Sequence, residues 1–470
     1  MIWIDYAIFA IYFLLVLAIG FYFYKKNESK EDYYVGSRQI SATHIGFSLV
    51  ATDVGGGFSI GLGGLGFMIG LSGSWLLFTG LAGAWLVAIV MIPKIKKLDD
   101  RYGFLTYPDF LKHRYNKSVA LVAGIISAIG YLGFTSAQIL AGAKLAAGSM
   151  LSEMTWVDPL DFSLILIAVV IVLYTVLGGL KAVIYTDTVQ WIILLIGLLF
   201  FGLPFAYRTI GGWQALQTLP PSHFSLANIS VVQIINWFIT IIPVWFVAMT
   251  LYQRIFACKS VREAKKAFFI AGLLEYPLMA FLGVSLGLMA RVAFPAADAE
   301  MAMPMLLGKA LPPVVTGIVL AAYFSAVMST ADSCLIAASG NLVNDIIGSF
   351  GQLANTRQHI RLSQLATLIL GILAVVIAAS FQTVLEIILH AYAFMVAGLF
   401  IPTIGAYFWK PSHPASALIT MIGGGSLTLI LILGKWSLPY GLDASLFGIL
   451  FSVILFFPLS LLFRKWEVKI

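Results

Sequence analysis

Apolar residues run along this chain in long windows separated by short polar ones, and a window of about 20 residues suffices to cross a bilayer's hydrocarbon core as a helix. The pattern predicts about thirteen such spans. Their limits are 3–24, 40–71, 73–93, 118–148, 160–179, 182–207, 230–254, 265–294, 312–345, 360–379, 382–409, 414–433 and 444–463. Several are longer than the core is thick, so those helices should be tilted, broken or extended into water. The first window, Ile4 to Phe23, has Asp5 near its start and no basic segment before it, so it reads as a retained span rather than a cleaved signal. The expected fold is an all-α polytopic membrane protein in one domain.

Two spans carry breaks at matching depths. One reaches Ala51-Thr52-Asp53-Val54-Gly55-Gly56-Gly57, and glycine costs about 1 kcal/mol against alanine at each helical position. The other reaches Pro243 about as far in, where a missing N–H and a ring clash should kink the helix. Five spans run from the first start and five more from the second start to Lys410. Interrupted helices at corresponding places of two halves point to a transporter site on inverted repeats. A small-residue packing face is the rival reading of the glycines, and it suits Gly61, Gly63, Gly64, Gly66 and Gly70 better than Gly55 to Gly57.

Polar residues concentrate once more in Ser325-Ala326-Val327-Met328-Ser329-Thr330-Ala331-Asp332-Ser333. On a helix, Ser325, Ser329, Asp332 and Ser333 share a face. An ionised Asp at the centre of a membrane helix costs about 2.5–3.5 kcal/mol on insertion scales, and hydroxyls around one carboxylate suit a small hard cation. Back-bonding of Ser and Thr to the preceding turn is the blander alternative.

Hydrophobic residues make up 60% and charged residues 10% of the 470, which excludes an ordinary soluble domain. The net charge of +7 is a topology signal rather than a nucleic-acid footprint. With the N-terminus outside, the basic residues gather on the cytoplasmic side, Arg254 counted among them; of the 28, Lys144, Arg208, Arg291, Lys309 and Lys435 remain toward the other face. The C-terminus is then cytoplasmic, in a cell membrane. The cysteines, Cys258 and Cys334, give no disulfide framework, and the histidines offer no metal-ligand spacing, which argues against an enzyme.

Several segments resemble a known family. Asp32-Tyr33-Tyr34-Val35-Gly36-Ser37-Arg38, Tyr174-Thr175-Val176-Leu177-Gly178-Gly179-Leu180-Lys181-Ala182-Val183 with Thr186-Asp187 and Gln190, Tyr252-Gln253-Arg254, Met328 to Ser333, and Phe408-Trp409-Lys410 are similar to motifs of the sodium:solute symporters. That group contains bacterial proline, sialic acid and galactose symporters and sodium-dependent glucose and choline transporters. The resemblance implies a leucine-transporter-type five-plus-five inverted repeat, with 3–24 before it, 40–207 and 230–410 as the repeats, and two helices in 414–463 after it. It implies a secondary active transporter that couples inward sodium flow to uptake of a small organic solute by alternating access. A proton-coupled symporter of the same fold and a non-transporting sensor are the alternatives.

Carried over by residue, the principal sodium site takes the carbonyls of Ala51, Val54 and Ala326 and the hydroxyls of Ser329 and Thr330. A second sodium site would use Asp187, Ser329, Asp332 and Ser333. The family usually has a hydroxyl where Asp332 stands, so the two carboxylates either bind a second sodium or share a proton. Asp53 is expected to couple ion to solute. The solute pocket should draw on Gly55, Gly56, Phe58, Ser74, Trp75, Gln138, Trp245, Leu389 and His390, with Tyr392 at its edge. The glycine run before Phe58 leans toward the choline branch, but Val247-Ala248-Met249 departs from that branch. Glu275 is expected to be a structural hydrogen-bond partner, and Lys144 to snorkel to the outer interface.

Overall fold

The computed structural model describes residues 2–26, 35–152, 154–178, 180–350 and 356–467. Asp32 to Tyr34 and Gly179, which carry part of the motif resemblance, lie outside them. The helices in chain order are α1 (Trp3–Lys26), α2 (Ala42–Asp53), α3 (Gly55–Ile69), α4 (Trp75–Val90), α5 (Ile92–Tyr102), α6 (Tyr107–Arg114), α7 (Lys117–Ser149) and α8 (Pro159–Gly178). There follow α9 (Leu180–Ile196, continued by a π-helical turn and Leu203–Thr209), α10 (Val231–Val244), α11 (Met249–Ala257), α12 (Val261–Leu273), α13 (Ala280–Ala293) and α14 (Ala299–Ala310). The last are α15 (Val315–Gly340), α16 (Thr356–Ala378), α17 (Val384–Phe408), α18 (Pro414–Leu433) and α19 (Ala444–Glu467).

Each expected span coincides with a helix or a helix pair. Among the described residues, nine helices are long and apolar enough to cross a membrane, or ten with the bent pair α10 and α11. One of these, Gly55–Val90, is folded back on itself. Gly46 packs on Ala267 and Ile270 and Gly63 on Gly287, so α2–α3 runs parallel to α12–α13. Gly80, by contrast, lies against Glu275, and the Trp85 indole donates to the Phe269 carbonyl at 3.3 Å, so α4 runs back the other way. The short helical turn Gly70–Ser74 makes the reversal.

α15 is the central post: 94% of its apolar window is buried inside the protein, against 22% for α19. Its sequence is apolar on every side apart from the hydroxyls and Asp332, as a fully enclosed helix must be. Its N-terminus is closed by Asp5 of α1, whose Oδ1 accepts from Val314 N at 2.8 Å and Gly317 N at 3.2 Å. A carboxylate at that end also meets the positive end of the helix dipole.

Three expectations change. α10 passes through Pro243 to Val244, and the 45° bend falls on residues 245–248, where turn-type bonds such as Phe246 N to Pro243 O at 3.0 Å replace the helical ladder. Lys144 does not snorkel. Its ammonium is buried on Glu300 at 2.8 Å and Asp298 at 3.2 Å, and Glu300 also accepts from Val384 N at 2.9 Å, which ties α7, α14 and α17 together. Arg254, counted above with the cytoplasmic charges, is fully buried, because α11 turns inward after the bend.

Candidate functional site

The first break is compact. Asp53 ends α2, Gly55 opens α3, and Val54 bridges them with its N–H still bonded to Val50 O at 2.9 Å. Gly55 has φ +34°, and a Cβ there would stand 2.0 Å from Thr330 Oγ1, so only glycine allows α15 this close. Thr330 Oγ1 lies 2.8 Å from Ala51 O and 3.1 Å from Ala326 O. One hydroxyl proton cannot serve both carbonyls at full strength. Ala51, Ala326 and Thr330 are thus gathered across the break, with Val54 in the connecting turn and Ser329 one residue away.

Ser329 donates to Asp187 Oδ1, and Ser48 donates to Asp187 Oδ2, each at 2.5 Å. Arg254 faces the same carboxylate, Nη2 to Oδ2 at 3.6 Å. Its guanidinium also donates to Thr52 Oγ1 at 2.6 Å, Ser333 Oγ at 2.8 Å, Ser48 Oγ at 3.1 Å and Thr250 O at 3.2 Å. Five donors in a rigid fork suit such a many-sided contact, and a buried ion pair needs these extra bonds to offset desolvation. α2, α9, α11 and α15 therefore meet on one neutral ion pair.

The hydroxyl stripe of α15 does not act as one face. Ser325 donates to Tyr12 of α1, Ser329 to Asp187, and Ser333 accepts from Arg254. Asp332 turns to α8, where Thr175 donates to its Oδ1, and Oδ2 has no hydrogen-bond partner among the described residues. Because α15 is enclosed all round, each polar residue finds a different neighbouring helix. The grouping of Asp187, Ser329, Asp332 and Ser333 is thereby divided: Asp187 and Ser329 are bonded, Ser333 joins through Arg254, and Asp332 stands apart. Arg254 was missed as a site residue because a lone Arg near a helix end reads as an interface charge; its signal was the Tyr252-Gln253-Arg254 motif.

A narrow cavity lies beside the break, lined by Thr52, Asp53, Tyr131, Phe134, Val244, Ala248, Thr250, Leu251, Tyr392 and Met395. None of Gly55, Gly56, Phe58, Ser74, Trp75, Gln138, Trp245, Leu389 and His390, expected in the pocket, lines this cavity; Phe58 packs behind it, its ring centroid 6.4 Å from Phe134 and 6.1 Å from Tyr392. Gln138 Oε1 accepts from Gly57 N at 2.9 Å, while Gly55 and Gly56 face Thr330 and Val327. Ser74 and Trp75 sit at the turn after α3, with the Trp75 indole on Leu226 O at 2.9 Å. Trp245 packs on Gly83 and Phe268. Leu389 and His390 are half-buried, His390 against Phe381, because the helical period that sends Tyr392 and Met395 inward turns them aside. Glu275, expected to be hydrogen-bonded, is buried with neither oxygen bonded among the described residues.

The family model for the sodium:solute symporter family matches residues 33–424. The chain belongs to the sodium:solute symporter family. A sodium/proline symporter of Staphylococcus aureus (strain JH9) is 27% identical over 493 residues, covering 98% of this chain and 93% of that protein. Among solved structures, a substrate-bound, outward-open Na+-coupled sialic acid symporter superposes with TM-score 0.80 at 19% identity, over 98% of both chains. The nucleobase-cation-symport-1 family transporter MHP1, closed with bromovinylhydantoin bound, superposes with TM-score 0.62 at 12% identity, over 94% of this chain and 96% of its own. The fold is thus that of the leucine-transporter-type sodium symporters. Family membership makes this protein a multi-pass membrane transporter rather than an enzyme, and its class of activity sodium-coupled symport.

Proposed function

We propose that this protein carries a small organic solute into the cell on an inward sodium gradient by alternating access, with one sodium ion per cycle. The observation that supports the ion site most is Thr330 Oγ1 between Ala51 O and Ala326 O. A hydroxyl caught between two carbonyls is a partial substitute for a cation with a shell of hard oxygens. Val54 O and Ser329 Oγ would complete that shell; Ser329 gives its proton to Asp187 and keeps its lone pairs for the ion. Sodium so held would pin the α2–α3 break to α15, and its release to a sodium-poor cytoplasm would free the contact.

A single sodium is favoured over two, since Arg254 already balances Asp187 and Asp332 points to α8. Asp53, whose Oδ1 is 3.5 Å from the Tyr392 hydroxyl at the cavity wall, stands between ion and solute and is assigned to their coupling. The repeats are taken as 40–207 and 230–410, with the N-terminus outside and the C-terminus cytoplasmic. The test is solute uptake by proteoliposomes with and without an inward sodium gradient, with reversal potentials for stoichiometry. One sodium per solute is expected, and Asp332→Asn should keep it. Uptake indifferent to sodium, or a two-sodium ratio lost in Asp332→Asn, refutes the scheme.

A further inference from the structure

Glu275 and Asp53 form a pair of carboxylates that the ion site does not use. Glu275 lies in the π-helical turn Leu274–Met279 joining α12 to α13, wholly buried, and neither oxygen has a hydrogen-bond partner among the described residues. Asp53 approaches it from the first break. Glu275 Oε2 and Asp53 Oδ2 both come within 3.6 Å of the point where a Gly80 Cβ would stand. A Gly80 Cβ would stand 2.3 Å from Glu275 Oε2, so glycine at this position makes room for the Glu275 carboxylate opposite Asp53. None of the ion pairs among the described residues includes either acid, and the fully buried guanidinium of Arg254 is engaged by Asp187. Among the described residues, the one hydroxyl bonded to the pair is that of Tyr392, on the side of Asp53 facing the cavity.

Two acids enclosed away from water need positive charge and hydrogen-bond donors. The cavity on the Asp53 side supplies no positive charge, and the donor it turns to Asp53 is the neutral Tyr392 hydroxyl. It also supplies rings: Phe134 and Tyr392 line it 5.2 Å apart between centroids, and Phe58 packs against them at 6.4 and 6.1 Å. Aromatic faces attract a cation, and more strongly out of water. Carboxylates behind and rings around are what an organic ammonium requires. A quaternary ammonium would satisfy the rings but has no N–H for Glu275.

We infer that the transported solute is a small amine, whose protonated primary or secondary nitrogen is held between Asp53 and Glu275 with Phe134 and Tyr392 as the wall and Phe58 packed behind them. This rests on the transport reading proposed above and names the solute class for it. Asp53 then serves both partners, facing the amine with its carboxylate while its backbone continues into the ion-binding turn.

The test uses the purified full-length protein, with thermal unfolding as readout. Sodium chloride is titrated first, alone. At saturating sodium, methylammonium, ethanolamine, putrescine and β-alanine are compared with the uncharged or anionic propanol, ethylene glycol and propionate, and with tetramethylammonium. At least one primary ammonium should stabilise the protein in a sodium-dependent way and drive counterflow in proteoliposomes. Tetramethylammonium should need at least tenfold more. Glu275→Gln and Gly80→Ala should each raise the amine concentration required at least tenfold, with the sodium titration unmoved. Sodium stabilisation without response to any ammonium overturns the amine and leaves sodium coupling standing, whereas loss of both removes the transport reading as well. Preference for an uncharged or anionic solute, equal binding of tetramethylammonium, or a pH-driven current without amine also overturns it. Should either variant fail to fold, the wild-type ranking alone decides.

Discussion

At the scale of single residues, Arg254 is a fully buried charge paired with Asp187. Removing one member of a buried pair leaves an uncompensated charge and costs about 3–5 kcal/mol. Arg254→Ala should therefore lower the unfolding temperature in detergent sharply, Arg254→Lys less so, and the charge-neutral double variant Arg254→Gln with Asp187→Asn should regain much of the loss. A double variant no better than Arg254→Ala alone would show that the ion pair does not organise this region. Ser329 and Thr330 answer to a different measurement, because they are assigned to the ion. Ser329→Ala and Thr330→Ala should raise the half-saturating sodium concentration several-fold to tenfold, roughly one lost ligand's worth, without loss of expression. A sodium titration by intrinsic fluorescence reads this directly, and a wild-type midpoint removes the residue from the site.

Whole elements depend on how closely helices approach. α15 touches the first break at Gly55, where an added Cβ would stand 2.0 Å from Thr330 Oγ1 and the positive φ would strain any other residue. Gly55→Ala should abolish sodium-driven uptake. Gly61→Ala is the matched control, since its Cβ would meet Leu385 at an ordinary 3.5 Å. Equal transport by both variants would separate the break from the ion. At the other end of the bundle, Glu300 holds Lys144 and covers the first N–H groups of α17. Glu300→Gln keeps one acceptor but removes the charge, so buried Lys144 loses its main counter-ion. The expected outcome is a lower unfolding temperature; an unchanged one would assign the pairing to Asp298 alone.

For the whole molecule, the assigned orientation makes a chemical prediction. Cys258 and Cys334 are both buried, so background labelling of intact cells by a membrane-impermeant maleimide should be low. Gln217→Cys should label from outside, and Arg101→Cys only after permeabilisation. The reverse pattern would invert the topology read from the basic residues. All four helices that meet on the Asp187–Arg254 pair come from distant parts of the chain. A change in any of them should alter transport and stability together, a coupling measurable by comparing uptake rates with unfolding temperatures across the variants above.

The apolar windows located, by length alone, the long helices but not the shorter α5, α6 and α14 between them, since a bilayer core accepts backbone only when its own N–H and C=O groups are paired. The glycines after Asp53 likewise disclosed the first break, because glycine's freedom is a property of the residue itself. Periodicity could not say which neighbour each face of α15 meets. A helix enclosed on every side has no single polar face, so Asp332 went to Thr175 and Ser333 to Arg254 although one stripe contains both. Local sequence was equally silent on Lys144, Arg254 and Glu275. Whether a charged side chain reaches water or turns inward depends on which distant helix stands beside it, and only the packed fold decides that: it gave Lys144 to Glu300 and Arg254 to Asp187, and left Glu275 facing Asp53 across Gly80.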